Sequence, residues 1–169
     1  VYDTTAPAGT ISVTGALSDA EPALALTATG ADSMRIALAV DTASSVWRQF
    51  ASIDSIDVSA GGEGEKVIFV QYGDFAGNRS LWYSATTVYD ITAPTGSVAI
   101  QDNNGFTGDT LCALVVTAAG ADSMRAAPAS DTAAVPWKAL SVNDTVLFPS
   151  GDGIKVVFVQ FKDTSGNIS

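Results

Sequence analysis

Strict alternation of apolar and polar residues marks several short stretches of the chain. Thr10 to Thr14 alternates, and so does Ala23 to Ala28. A period of two is the pattern of a half-buried strand. Ser33 to Leu38 and Val46 to Phe50 follow as strands, and Ile53 to Val58 alternates again. Lys66 to Tyr72 is β-branched and aromatic with little polarity, as expected of a central strand. Leu81 to Tyr89 closes the series. Turn-forming residues lie between, as in Gly61-Gly62-Glu63-Gly64 and Ser150-Gly151-Asp152-Gly153. No segment sustains a 3.6-residue apolar period. The pattern predicts an all-β fold of seven short strands per unit, a β-sandwich.

The pattern occurs twice. Val1-Tyr2-Asp3-Thr4-Thr5-Ala6-Pro7 returns as Val88-Tyr89-Asp90-Ile91-Thr92-Ala93-Pro94. Gly30 to Arg35 returns as Gly120 to Arg125, and Asp41 and Trp47 return as Asp131 and Trp137. Lys66 to Tyr72 returns as Lys155 to Phe161. Asp74, Gly77, Asn78 and Ser80 return as Asp163, Gly166, Asn167 and Ser169. A unit of this length is too long for a solenoid repeat and suits a small sandwich. The expected domains are residues 1–87 and 88–169, joined through Asp90 to Pro94. Proline there removes a donor and stiffens the connection.

The two ends do not match. Ser169 corresponds to Ser80, so the second unit has no counterpart of the last strand, Leu81 to Thr87. Residues 1–3 read as the tail of a preceding strand. One reading is an array cut from something longer. The other is a strand supplied by another chain to an open sheet edge.

Composition narrows the function classes. The chain has 169 residues, 47% hydrophobic and only 15% charged, against ~25% charged in an average domain. Its 18 acids and 8 bases give a net charge of −10. That argues against an unaided nucleic-acid binder and against anionic membrane surfaces. Histidine is absent, which excludes Ser-His-Asp and Cys-His catalysis and imidazole-based metal sites. Carboxylates alone could still hydrolyse glycosides. No acid stands apart from the repeat, so no enzymatic activity is expected. Cys112 is the single cysteine and cannot form an intrachain disulfide. It is expected to behave as a small apolar strand residue. No apolar run approaches the ~18 residues of a membrane span.

The Asp-Thr-Thr-Ala-Pro linker, Gly-Ala-Asp-Ser-Met-Arg, the following Trp, Gly-Asp-Gly-Ile-Lys, and Val-Phe-Val-Gln-Phe-Lys-Asp ending in Gly-Asn form one pattern. It resembles the tandem Ig-like or fibronectin-type-III-like domains of large bacterial and archaeal surface proteins. The resemblance covers essentially the whole chain, twice. Neither unit has an Ig-type cysteine pair. Unit one departs at Gly61 to Lys66, a change of turn. The resemblance implies adhesin stalks, S-layer or filament proteins, or spacers of secreted hydrolases.

Candidate chemistry is sparse. Asp-x-x-Gly-Asn, at Asp74 to Asn78 and Asp163 to Asn167, suits a turn. Calcium is the ligand alternative, with Asp3, Asp74, Asp90 and Asp163 as candidates. Trp47 and Trp137 are expected to pack on the sandwich, with sugar stacking as the alternative. The same applies to Trp82 and Tyr83. Met34 and Met124 are expected in the core, with Arg35 and Arg125 as solvated or paired surface groups. Asp32 and Asp122 are read as strand starts or partners of a basic group. Asn78, Asn143 and Asn167 head N-glycosylation triplets.

The expected function is a non-enzymatic extracellular structural module, a stalk, filament or surface-layer segment. It needs no cofactor unless calcium stiffens the joints. Its partners would be neighbouring repeats or copies of itself. The alternative is a carbohydrate-binding or spacer module of a secreted polysaccharide-degrading enzyme.

Overall fold

The computed structural model describes residues 2–38, 45–101, 106–128 and 132–169. Val1, Asp41 and Asp131 lie outside the described residues. The chain divides into two compact units, Val1–Ile91 and Thr92–Ser169. Both are all-β and antiparallel.

Among the described residues the first unit has seven strands: β1 (Ala8–Thr14), β2 (Ala23–Thr29), β3 (Ser33–Ala37), β4 (Arg48–Gln49), β5 (Ile53–Ser55), β6 (Gly64–Gly73) and β7 (Tyr83–Tyr89). One sheet has the order β1-β2-β5 and the other β4-β3-β6-β7. The alternation read from sequence sets the faces. Leu24 and Leu26 on β2 point inward with Met34, Ile68, Val70 and Tyr72 of the facing sheet. Each such side chain, fully buried, stabilises by roughly 1.5–3 kcal/mol. The Tyr72 hydroxyl donates to Thr10 O at 2.6 Å, which ties the two sheets together. Burial, and to a lesser degree Tyr83, pushes its pKa up to about 12.

The second unit repeats the plan: β8 (Thr95–Gln101), β9 (Leu111–Ala119), β10 (Ser123–Ala127), β11 (Lys138–Ala139), β12 (Asn143–Leu147) and β13 (Phe158–Lys162), with a 3₁₀ turn at Thr132–Ala134. Its sheets have the orders β8-β9-β12 and β11-β10-β13. Cys112 is buried on β9 beside the core residues Leu114 and Val116. Met124 and Phe161 face them.

Some strands differ from their expected lengths. Val46 to Phe50 forms a ladder only at Arg48–Gln49, with the Phe50 N–H bonding Asp32 O at 2.9 Å just beyond it. Ile53 to Val58 pairs only to Ser55, yet Val58 still reaches the core through its N–H bond to Ala20 O. The largest difference lies between repeats. β6 runs ten residues and pairs with β7 from Gly64↔Tyr89 to Val70↔Tyr83. Its counterpart β13 runs five, and residues 153–157 before it form no strand. Tyr2 also stands 93% exposed, whereas its repeat partner Tyr89 ends β7 at 8%.

Gly9 and Gly96 occupy one repeat position that sequence reading passes over. A Cβ on Gly9 would overlap Thr27 O and come within 2.6 Å of the Tyr72 ring. On Gly96 it would lie 2.5 Å from both Thr117 O and the Phe161 ring. In each unit an aromatic ring of one sheet rests on bare backbone of the other.

Candidate functional site

Asp32, Arg35, Trp47, Asp74 and Asn78 gather where the start of β3 meets the end of β6, and Arg125, Trp137, Asp163 and Asn167 do so at β10 and β13. In a strand Met34 and Arg35 point to opposite faces. Met34 enters the core, so Arg35 lies on the outer face of the sheet. It is nevertheless only 4% exposed, so of its two sequence readings, solvated or paired, the structure shows the paired one, and buried rather than on the surface. Its guanidinium lies 4.9 Å from the Trp47 ring centre and 4.8 Å from that of Trp82. Its Nε and Nη2 donate to Gln71 Oε1 at 3.0 and 2.6 Å. Gln71 Nε2 in turn donates to Ser80 O at 2.7 Å. Burial, and then the positive charge of Arg79, lowers the Arg35 pKa from its ordinary value. The guanidinium stays charged.

Trp47 carries a second cation, Arg79, at 5.3 Å. The second unit builds the same stack from different positions. Arg125 lies 4.5 Å from the Trp137 ring centre and donates to Gln160 Oε1 at 3.0 and 2.7 Å. The second cation is Lys162, at 4.8 Å. Lys162 stands where the first unit has Gly73, and Ile168 stands where it has Arg79. The cation over the ring is thus retained although its position in the sequence has moved. Arg125 is half-buried rather than buried.

The turn after each central strand is closed by its own carboxylate. Asp74 Oδ1 accepts from the Asn78 N–H and Oδ2 from Asn78 Nδ2, both at 2.8 Å. Asp163 and Asn167 repeat this at 2.8 and 3.0 Å. Gly77 and Gly166 take the positive φ the turn requires. The bond from the Asn78 side chain is the main cause holding the Asp74 carboxyl below its ordinary value, with partial burial opposing it. A carboxyl with a depressed folded-state pKa stabilises the fold above its unfolded value, near ~3.9, and loses that contribution as pH falls through the folded value. The melting-temperature gap between the chain and Asp74→Ala should therefore be full at about pH 6 and shrink below about pH 4. A gap of equal size at both ends would contradict this assignment.

Of the calcium candidates, Asp3 joins the Asp74 turn through its backbone: Asn78 Nδ2 donates to Asp3 O at 3.2 Å. The Asp3 carboxylate accepts from the Thr5 N–H at 2.9 Å. The Asp90 N–H bonds Leu17 O at 3.1 Å. Among the described residues no three Asp, Glu, Cys or His side chains come together as a metal-holding group. At each turn both carboxylate oxygens already accept a bond from the turn's own asparagine. Asp32 uses Oδ2 on the Phe75 N–H at 2.9 Å, and so pairs with backbone rather than with a base.

No family model matches the chain, and no curated protein does. Among solved structures it is similar to one described as the crystal structure of a tetra-tandem repeat in the extending region of a large adhesion protein. The identity is 18% and the TM-score 0.34, over 96% of this chain. The chain spans 47% of that structure's length. Among the described residues no helix is long and apolar enough to cross a membrane.

Of the three glycosylation triplets, only Asn143 presents an exposed asparagine; Asn78 and Asn167 are half-buried in their turns. Sequence reading missed the Arg–Gln pairs. Their signal was present: a glutamine, Gln71 or Gln160, recurs in the middle of the most apolar strand. A recurrent ion pair was also legible. Arg48–Asp54 at 2.7 Å returns as Lys138–Asp144 at 2.5 Å. Exposed pairs of this kind are worth roughly 0–1 kcal/mol.

Proposed function

We propose that the chain is a non-enzymatic structural segment of a prokaryotic surface protein, a stalk or spacer on the outside of the cell. One observation carries the reading. The tryptophan–cation stack is present in both units although its second cation comes from a different strand position in each. A contact kept while its residues move serves the fold of each unit. The turn carboxylates are likewise engaged by their own asparagines. The cations over Trp47 and Trp137 also disfavour the sugar-platform alternative, which needs accessible ring faces. The acidic surface keeps such a segment soluble and its copies apart.

In immuno-electron microscopy, antibodies against the chain should label intact cells of the source organism, with gold standing off the envelope. Label confined to the cell interior would overturn the proposal.

A further inference from the structure

The chain leaves the first unit through a segment held from both of its sheets. Tyr89, buried, ends β7 opposite Gly64, the first residue of β6. The next two amides are taken in succession. The Asp90 N–H donates to Leu17 O at 3.1 Å, in the loop between β1 and β2. The Ile91 N–H donates to Glu63 Oε1 at 2.7 Å, in the turn that leads into β6. That turn has a fixed shape of its own. Gly62 and Gly64, on either side of Glu63, take positive φ of 76° and 113°. Lys66 Nζ donates across the turn to Ala60 O at 2.9 Å. Further along, Pro94 is buried in the second unit, its Cα 3.8 Å from where a Cβ on Gly120 would stand. Thr92 and Ala93 lie between these two anchors. Ala93 is confined to extended backbone by the proline that follows it.

We propose that Glu63 is a latch on the connection between the units. Its carboxylate fixes the direction in which the chain leaves the first unit, and it leaves two residues to carry any bend. An N–H bond to a charged acceptor is stronger than one between neutral groups. Packing does not hold Ile91 in its place, since its side chain is 55% exposed. The stiffness of the joint thus depends on one side chain as well as on proline. The proposal deepens the spacer reading and takes its purpose from it, because a spacer keeps its reach only where its joints resist bending. The latch is measured on the purified chain, so its failure would leave the immuno-gold result untouched.

The test compares amide exchange and residual dipolar couplings of the full chain with those of Glu63→Ala, Glu63→Gln and Glu63→Asp. In Glu63→Ala the Ile91 amide should exchange about tenfold faster, the loss of one charge-assisted bond. Amides of β6 should exchange as in the parent, which shows the first unit intact. The alignment magnitudes of the two units, equal in the parent, should diverge in Glu63→Ala. Glu63→Gln keeps an acceptor at the same reach and should recover most of the Ile91 protection. Glu63→Asp is one methylene shorter and should not. Ile91 exchange unchanged in Glu63→Ala would overturn the proposal. So would faster exchange with alignment magnitudes that stay equal, or magnitudes already unequal in the parent.

Discussion

Arg35→Ala should destabilise the first unit by about 3 kcal/mol, from roughly 1 kcal/mol for each of two partly desolvated cation–π contacts and the remainder from lost charged hydrogen bonds. The substitution uncovers two indole rings and takes two donations from Gln71, which anchors Ser80 and hence the start of the last strand. Arg35→Lys should recover little. An ammonium cannot present two N–H groups in a fixed fork while stacking on flat rings. Arg125→Ala should cost less, about half as much, because one tryptophan rather than two contacts its guanidinium. Exchange of amides in β6 and in β13 reports the two units separately. Equal losses in both units would contradict the stacking account.

Gly9→Ala should be comparably damaging, at about 3 kcal/mol, the upper part of the range for overpacked sites. In an open extended backbone, alanine for glycine stabilises by roughly 0.4–1 kcal/mol through the unfolded chain. Here the added methyl meets Thr27 O and the Tyr72 ring together. The oxygen is held in the β1–β2 pair and the ring is fully buried, so neither gives way easily. Gly96→Ala should behave alike against Thr117 O and Phe161. Gly108→Ala, with nothing within 4 Å, serves as control and should stay within about 0.5 kcal/mol of the parent in urea unfolding. A Gly9→Ala chain as stable as that control would show that the sheets separate at no cost.

The fold was legible because alternation, turn residues and the tandem repeat all pointed one way. Leu24, Leu26, Met34 and Met124 face inward as their spacing requires. The site was less legible, since its contacts cross strands far apart in sequence. Arg35 sits on an outward position, and nothing local says that two tryptophans will close over it. The pairing of Asp74 with Asn78 was readable as a turn because both partners are neighbours in the chain. Gly9 looked like an ordinary strand glycine. Its role depends on a ring sixty-three positions away, in the facing sheet.

The claim that the recurring aromatic and cationic residues serve the fold is tested most directly by a double-mutant cycle between Arg35 and Trp47. Unfolding free energies would be read from β6 amide exchange for Arg35→Ala, Trp47→Ala and the pair. The expected coupling is about 1 kcal/mol or more. Purely additive losses would contradict it and leave the Trp47 ring to an external ligand.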